Sequence, residues 1–266
     1  MDWNAALKTV IETARAAGAL LLHGREAAKV IERKSTAIDL VTEYDLAAEK
    51  LILARLRAEF PDYPVHAEES GPPEQAGDYA WYVDPLDGTV NFAHSFPVFA
   101  VSIALCRAGT PLLGVVYDPN RDETFQALAG AGAWLTQGDA GRRPLRVTQT
   151  ARLLDSLLAT GFAYDNHTSA QDNLAQFGAF LKRTQGIRRA GAASLDLAYV
   201  AAGRLDGYWE FKLKNWDVAA GWLLVQEAGG RVTNIQGASL QLDGSPAVVA
   251  SNGRLHAAML EVLREG

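Results

Sequence analysis

Asp84-Pro85-Leu86-Asp87-Gly88-Thr89 follows directly on the apolar run Trp81-Tyr82-Val83, so two carboxylates emerge at the end of a buried strand. Proline fixes its own φ, and glycine permits conformations closed to other residues. A tight turn of this composition aims Asp84, Asp87 and the Leu86 carbonyl at one point. Three converging oxygens suit Mg²⁺ or Mn²⁺, and two carboxylates so close would otherwise repel. The same residues also compose an ordinary polar turn in which Asp84 caps the next helix. Gly88-Thr89-Val90-Asn91 then opens a short helix whose free N–H groups would face a phosphate.

Upstream of this turn, Trp3, Leu7, Val10, Ile11, Ala14, Gly18, Leu21 and Leu22 recur at helical spacing and predict a long amphipathic first helix. A second helix is expected over 44–60, with Leu46, Leu51, Ile52, Leu56 and Phe60 inward, stopped by Pro61. At its start Thr42-x-x-Asp45 reads as a capping box, and Glu68-Glu69 falls in the loop beyond its end. Downstream, strands at 98–106, 112–117 and 123–128 are separated by turn residues and predict antiparallel sheet. The second half alternates: strand 157–160, helices 171–183 and 195–202, strand 207–211, helix 217–228, short strands at 232–233 and 247–250, and a last helix over 255–263. The polar stretch 138–143 marks a boundary inside one domain spanning 1–266, with parts 1–140 and 141–266 sharing an interface. The class is α+β, with layers of sheet and helix.

The charge balance is mildly acidic, 25 Lys and Arg against 31 Asp and Glu, so no basic footprint marks a nucleic-acid binder. Cys106 is the sole cysteine, which excludes disulfides within the chain and cysteine-based zinc sites and points to a reducing cytoplasm. No stretch approaches the roughly 20 apolar residues of a membrane span, and no targeting segment is recognisable. Gly130-Ala131-Gly132 lacks the rest of any nucleotide fingerprint, and no G-x-S-x-G occurs. The five histidines show no paired metal spacing; His94 falls near the acidic turn, and Trp209 is the tryptophan expected to touch a substrate.

Four motifs in order then carry a resemblance over nearly the whole chain: Asp39-Leu40-Val41-Thr42-Glu43-Tyr44-Asp45, Glu68-Glu69-Ser70, Asp84 to Phe92, and Trp216-Asp217-Val218-Ala219-Ala220-Gly221. Together with Gly191 to Ala201 and Gly203-Arg204-Leu205-Asp206, they resemble the inositol monophosphatase family. The resemblance implies a layered α/β/α/β/α sandwich, commonly a homodimer, that hydrolyses a small phosphate monoester with two or three Mg²⁺ ions and is inhibited by Li⁺. It implies that Glu68, Asp84 and the Leu86 carbonyl form one metal site, and Asp84, Asp87 and Asp217 another. Thr89 and Asp45 match the pair that orients the attacking water, with Glu68 close to it; Gly88 and Thr89 match contacts to the phosphate. Gly191, Ala192, Ala193 and Glu210 match the pocket for the alcohol part of the substrate.

Glu210 is an acceptor-only carboxylate suited to sugar or cyclitol hydroxyls. The resemblance implies a basic residue there in bisphosphate nucleotidases and a Gly-Asp pair in place of Gly191-Ala192 in histidinol phosphatases, so both positions favour the inositol branch. Arg188 and Arg189 keep fructose-1,6-bisphosphate open as a substrate. A non-catalytic binding protein on the same scaffold is the rival class. Conservative removal of one charge, Asp87→Asn, is expected to leave a protein at least as stable as wild type in chelator but much slower.

Overall fold

The computed structural model describes residues 2–27, 29–71, 77–242 and 244–265. It opens with helix α1 (Trp3–Arg25), the hairpin β1 (Ile31–Arg33) and β2 (Leu40–Thr42), and helix α2 (Glu43–Glu59). Next come β3 (Val65–Ala67), β4 (Tyr79–Asp87), α3 (Thr89–Ala93), β5 (Ala100–Arg107), β6 (Thr110–Asp118), β7 (Glu123–Leu128), β8 (Gly132–Gln137) and β9 (Arg143–Pro144). The last part holds β10 (Leu157–Thr160), α4 (Leu174–Leu181), β11 (Gly186–Arg188), α5 (Ala193–Ala201), β12 (Gly207–Glu210), α6 (Asn215–Glu227), β13 (Arg231–Thr233), β14 (Val248–Ser251) and α7 (His256–Glu265).

Strands β3 to β9 form one sheet in sequence order, antiparallel apart from the β3–β4 pair. The second sheet has the order β11-β10-β12-β14-β13, parallel across β11-β10-β12 and antiparallel beyond. Three cores stack the layers. Val10, Leu21, Ile52 and Leu56 of α1 and α2 pack on Trp81, Ile103 and Val115 of the larger sheet. Helices α5 and α6 fill the space between the sheets, where Leu197, Val200 and Leu224 meet Phe125, Tyr208 and Ala250. Phe180 of α4 and Met259 of α7 cover the far side of the smaller sheet against Trp209. This is the five-layer α/β/α/β/α order. Tight approach makes it possible: a Cβ on Gly114 would lie 3.0 Å from the Ala220 backbone of α6.

Several local expectations are corrected. Leu46, expected inward, is exposed; its neighbours Ile52 and Leu56 supply the buried stripe. The predicted helix over 171–183 is shortened to Leu174–Leu181 because Asn173 sits at φ 67° and turns inward. There its amide donates to the Thr160 hydroxyl (2.9 Å) and the Gly161 carbonyl (2.8 Å), and its oxygen accepts from the Trp209 indole (2.8 Å). Short strands β1, β2 and β11 have too few inward positions to leave a periodic signal.

At the join of β13, β14 and α7, the fully buried His256 ring lies 2.9 Å from both Thr233 Oγ1 and Ser251 Oγ. The Thr233 hydroxyl donates to the Asn234 carbonyl, which leaves its oxygen to accept from Nε2–H of a neutral ring. Burial, with a smaller push from Arg231, lowers the His256 pKa from 6.5 to about 4. Between those values the unfolded chain binds a proton that the folded ring does not, so stability falls as pH drops from about 6.5 to about 4. His256→Gln should flatten that part of the curve. Melting temperatures of both proteins from pH 4 to 7 check this, and parallel slopes would show that other groups govern acid sensitivity.

Candidate active site

The acidic turn is not a loop beyond the strand but the end of β4 itself. Residues three apart on a regular strand face opposite ways. The β4–β5 register breaks between Asp84 and Asp87, and this bulge lets both carboxylates line the same cleft. Asp84 Oδ1 accepts the Leu86 N–H at 3.0 Å. Gly88 follows at φ 96°, where a Cβ would stand 2.9 Å from the Val98 carbonyl oxygen and 3.2 Å from that of Gly191. Three backbone segments converge there, and only glycine fits both the angle and the space.

Thr89, the first residue of α3, places its hydroxyl 3.0 Å from Asp45 Oδ1 and 3.0 Å from the Leu86 carbonyl. Asp45 lies behind it, fully buried, and its Oδ2 accepts from the Thr42 N–H (2.8 Å) and hydroxyl (2.5 Å). The capping box at the start of α2 is therefore real, and the same carboxylate reaches the cleft through Thr89. Burial pushes the Asp45 pKa up to about 6 despite these bonds.

Glu68 reaches the cleft, with Glu69 next to it, on a loop anchored from beneath. The buried Glu49 of α2 accepts the Glu69 N–H at 2.8 Å and the Ser70 hydroxyl, and the Glu68 N–H donates to the Val83 carbonyl of β4 at 3.2 Å. Lys34, from the turn between β1 and β2, donates to Glu68 at 2.8 Å and also to Glu69. Burial disfavours its charge, but the two glutamates outweigh burial and hold its pKa above the ordinary value.

Asp87, like Asp45, accepts three hydrogen bonds. Its oxygens accept from the backbone N–H of Ala193 (3.1 Å), the N–H of Ser194 (2.8 Å) and the Ser194 hydroxyl (2.5 Å), so it caps α5 from across the chain. Asp217, in the first turn of α6, accepts the Lys214 N–H at 2.7 Å. Burial first, then Glu68, Asp87 and Asp217, push the Asp84 carboxyl well above its ordinary range. Asp217 is raised too, mainly by burial and then by Glu68, Asp87 and Glu210. Among the described residues no three acidic or histidine side chains, as they lie, share one ion-sized point. The donor set nevertheless fits a hard cation. It offers several acidic oxygens around one cleft, with Lys34 the cation bonded to Glu68, and such crowded carboxylates are what a divalent ion neutralises.

The same cleft, whose volume is about 430 Å³, is also lined by Gly161, Gly191, Ala192, Ala193 and Glu210. The buried Tyr208 hydroxyl donates to Glu210, and Gly161 lacks a side chain where a Cβ would strike that carboxylate. Asn91 ties α3 to the segment before α5 by donating to the carbonyls of Val98 (2.7 Å) and Ala190 (2.8 Å). Two expectations fail here. His94 lines a separate hollow beside β1 and β2, and Trp209 is wholly buried under Phe180; Trp216 lines the cleft instead. Lys34 and Tyr164, which line the cleft, and Tyr208, which holds Glu210, escaped the sequence reading, because only the fold brings them there.

The inositol monophosphatase family matches residues 2–266. The chain belongs to that family. It is 43% identical over 263 residues to the inositol-1-monophosphatase of Synechocystis sp., covering 98% of this chain and 90% of that protein. It is 47% identical over 264 residues to the Nus factor SuhB of Pseudomonas aeruginosa, covering 97% and 95%. The structure of inositol monophosphatase from Anabaena superposes with a TM-score of 0.88 at 41% identity, covering 100% of this chain and 97% of the other. The protein is thus an inositol-monophosphatase-like phosphoric monoester hydrolase of a generally metal-dependent family. No helix among the described residues is long and apolar enough to cross a membrane.

Proposed function

We propose that the protein hydrolyses an inositol monophosphate or a related small polyol or sugar phosphate, with Mg²⁺ as its ion, as a cytoplasmic homodimer. The observation that carries this reading is a single cleft lined by Glu68, Asp84, Asp87 and Asp217 together with Glu210. Glu68, Asp84, the Leu86 carbonyl, Asp87 and Asp217 would hold the metal. Bound there, Mg²⁺ supplies charge neutralisation for the phosphate and acidifies a water.

The remaining work falls to side chains. Thr89 Oγ1 donates to Asp45 or Leu86, so its lone pairs face an attacking water; Asp45 Oδ1 is the atom that receives the proton through that hydroxyl. Backbone and hydroxyl of Gly88 and Thr89 steer the phosphate. Gly191, Ala192 and Ala193 shape the wall for the alcohol group, and Glu210 accepts its hydroxyls.

Phosphate release from inositol phosphate, fructose bisphosphate, histidinol phosphate and adenosine bisphosphate, each with Mg²⁺, with Li⁺ added and with chelator, tests the reading. We expect inositol phosphate to be turned over fastest, and chelator or millimolar Li⁺ to suppress turnover. Full activity after dialysis against chelator would overturn the metal role. A second reading has one observation in its favour, the relatives named Nus factor SuhB: this chain acts as such a factor through its surface. Under that reading an inactive cleft variant keeps the cellular role.

A further inference from the structure

Gly161 directly follows β10 and stands beside Glu210, the last residue of β12, because the two strands pair in parallel with Thr160 against Trp209. Both residues line the cleft. The backbone does not call for glycine at this point, since its φ lies outside the left-handed region that excludes other side chains. Glycine also loses more conformational freedom on folding than alanine would, so its presence needs another cause. Space supplies one. A Cβ on Gly161 would collide with Glu210, and the three heavy atoms nearest to it are the carboxyl carbon and both oxygens of that side chain.

The surroundings decide which side of such a collision gives way. Asn173 donates to the Gly161 carbonyl at 2.8 Å and is itself bonded to the Thr160 hydroxyl and the Trp209 indole, so the end of β10 is fixed. Tyr208, two residues before Glu210 on β12, shares its face of the strand, and its fully buried hydroxyl donates to Glu210. The far end of a glutamate is flexible, whereas these hydrogen-bonded strand ends are not. A methyl group at 161 would therefore push the carboxylate off Tyr208 and leave that buried hydroxyl without its acceptor.

We propose that Gly161 is a specificity-determining residue: its missing side chain lets the Glu210 carboxylate lie against the end of β10 on the Tyr208 hydroxyl, the pose from which it accepts a substrate hydroxyl. The inference rests on the phosphatase reading above. It adds that the preference for a polyol phosphate is set at position 161 as well as at 210. An aryl phosphate offers Glu210 no hydroxyl and gains nothing from the pose.

The test compares inositol phosphate with an aryl phosphate, each with Mg²⁺, in wild type, Gly161→Ala, Glu210→Ala and the double variant. Gly161→Ala should lower the ratio of kcat/KM for inositol phosphate to that for the aryl ester about tenfold, and Glu210→Ala at least as much. The double variant should match Glu210→Ala within about twofold, because the shortened side chain no longer meets the added Cβ. Equal losses on both esters in Gly161→Ala, or a double variant whose ratio falls by the product of the two single losses, overturns the proposal. If Gly161→Ala does not fold, the double variant should fold, its collision having been removed; failure of both to fold overturns the proposal too. Wild type that releases phosphate from neither ester sinks the phosphatase reading itself. A ratio that falls in Glu210→Ala but holds in Gly161→Ala sinks the role of Gly161 alone.

Discussion

Asp84→Asn is expected to lose phosphate release by about a thousandfold while melting at or a few degrees above wild type in chelator. The rate loss follows if Asp84 is a ligand shared by both metal sites. The stability gain follows from what surrounds it. Asp84 is buried against Glu68, Asp87 and Asp217, and its one backbone bond, from the Leu86 N–H, is kept by the asparagine oxygen. Removing a charge that burial and three acidic neighbours disfavour relieves repulsion at nearly constant volume. Melting curves in chelator and with Mg²⁺, beside a turnover assay, decide it. A variant that melts several degrees lower, or keeps more than about a tenth of the rate, contradicts the assignment.

Asp87→Asn should show the opposite sign in stability. The sequence alone predicts a variant at least as stable as wild type in chelator; the hydrogen bonds that Asp87 accepts argue for the opposite outcome. Asp87 accepts three hydrogen bonds at the start of α5, and an asparagine amide turned toward them sets N–H against N–H. The loss of one or two such bonds costs about 1–3 kcal/mol, set against relief of the burial that pushes the Asp87 pKa up to about 6. The variant should melt several degrees lower in chelator, gain less from Mg²⁺ and lose roughly a hundredfold or more in rate. Unchanged melting would mean that repulsion within the cluster outweighs the cap.

The contrast between these two aspartates shows what sequence can carry. Proline, glycine and paired carboxylates at 84–89 announced a site, and helical spacing announced α1 and α2, because those signals are local. That Asp87 caps α5 is a contact between residues more than a hundred positions apart, and no local pattern encodes it. The bulge that turns Asp84 and Asp87 to one side is likewise set by pairing with β5. Lys34 sits on a hairpin whose first strand is exposed throughout, so apolar alternation could not reveal it. Trp209 misled for a related reason: a large aromatic next to Glu210 looks like a binding surface until Asn173 and Phe180 are seen to enclose it.

The cleft opens along the seam between the two sheets. Asp84, Asp87 and Thr89 come from the larger sheet and its α3 extension, whereas Gly161, Arg189, Ala192, Asp196 and Glu210 come from the smaller sheet and its α5 crossover. Most of the proposed hydrolytic apparatus and the wall proposed to meet the alcohol thus belong to different stretches of chain. For protein engineering this is a division of labour that can be exploited. A library meant to recode the leaving alcohol can be confined to 161–164, 189–192 and 210–214, leaving the acidic bulge and its buried supports, Ser194 among them, untouched. Asp217, on the helix shared by both sheets, is the position such a library must hold constant.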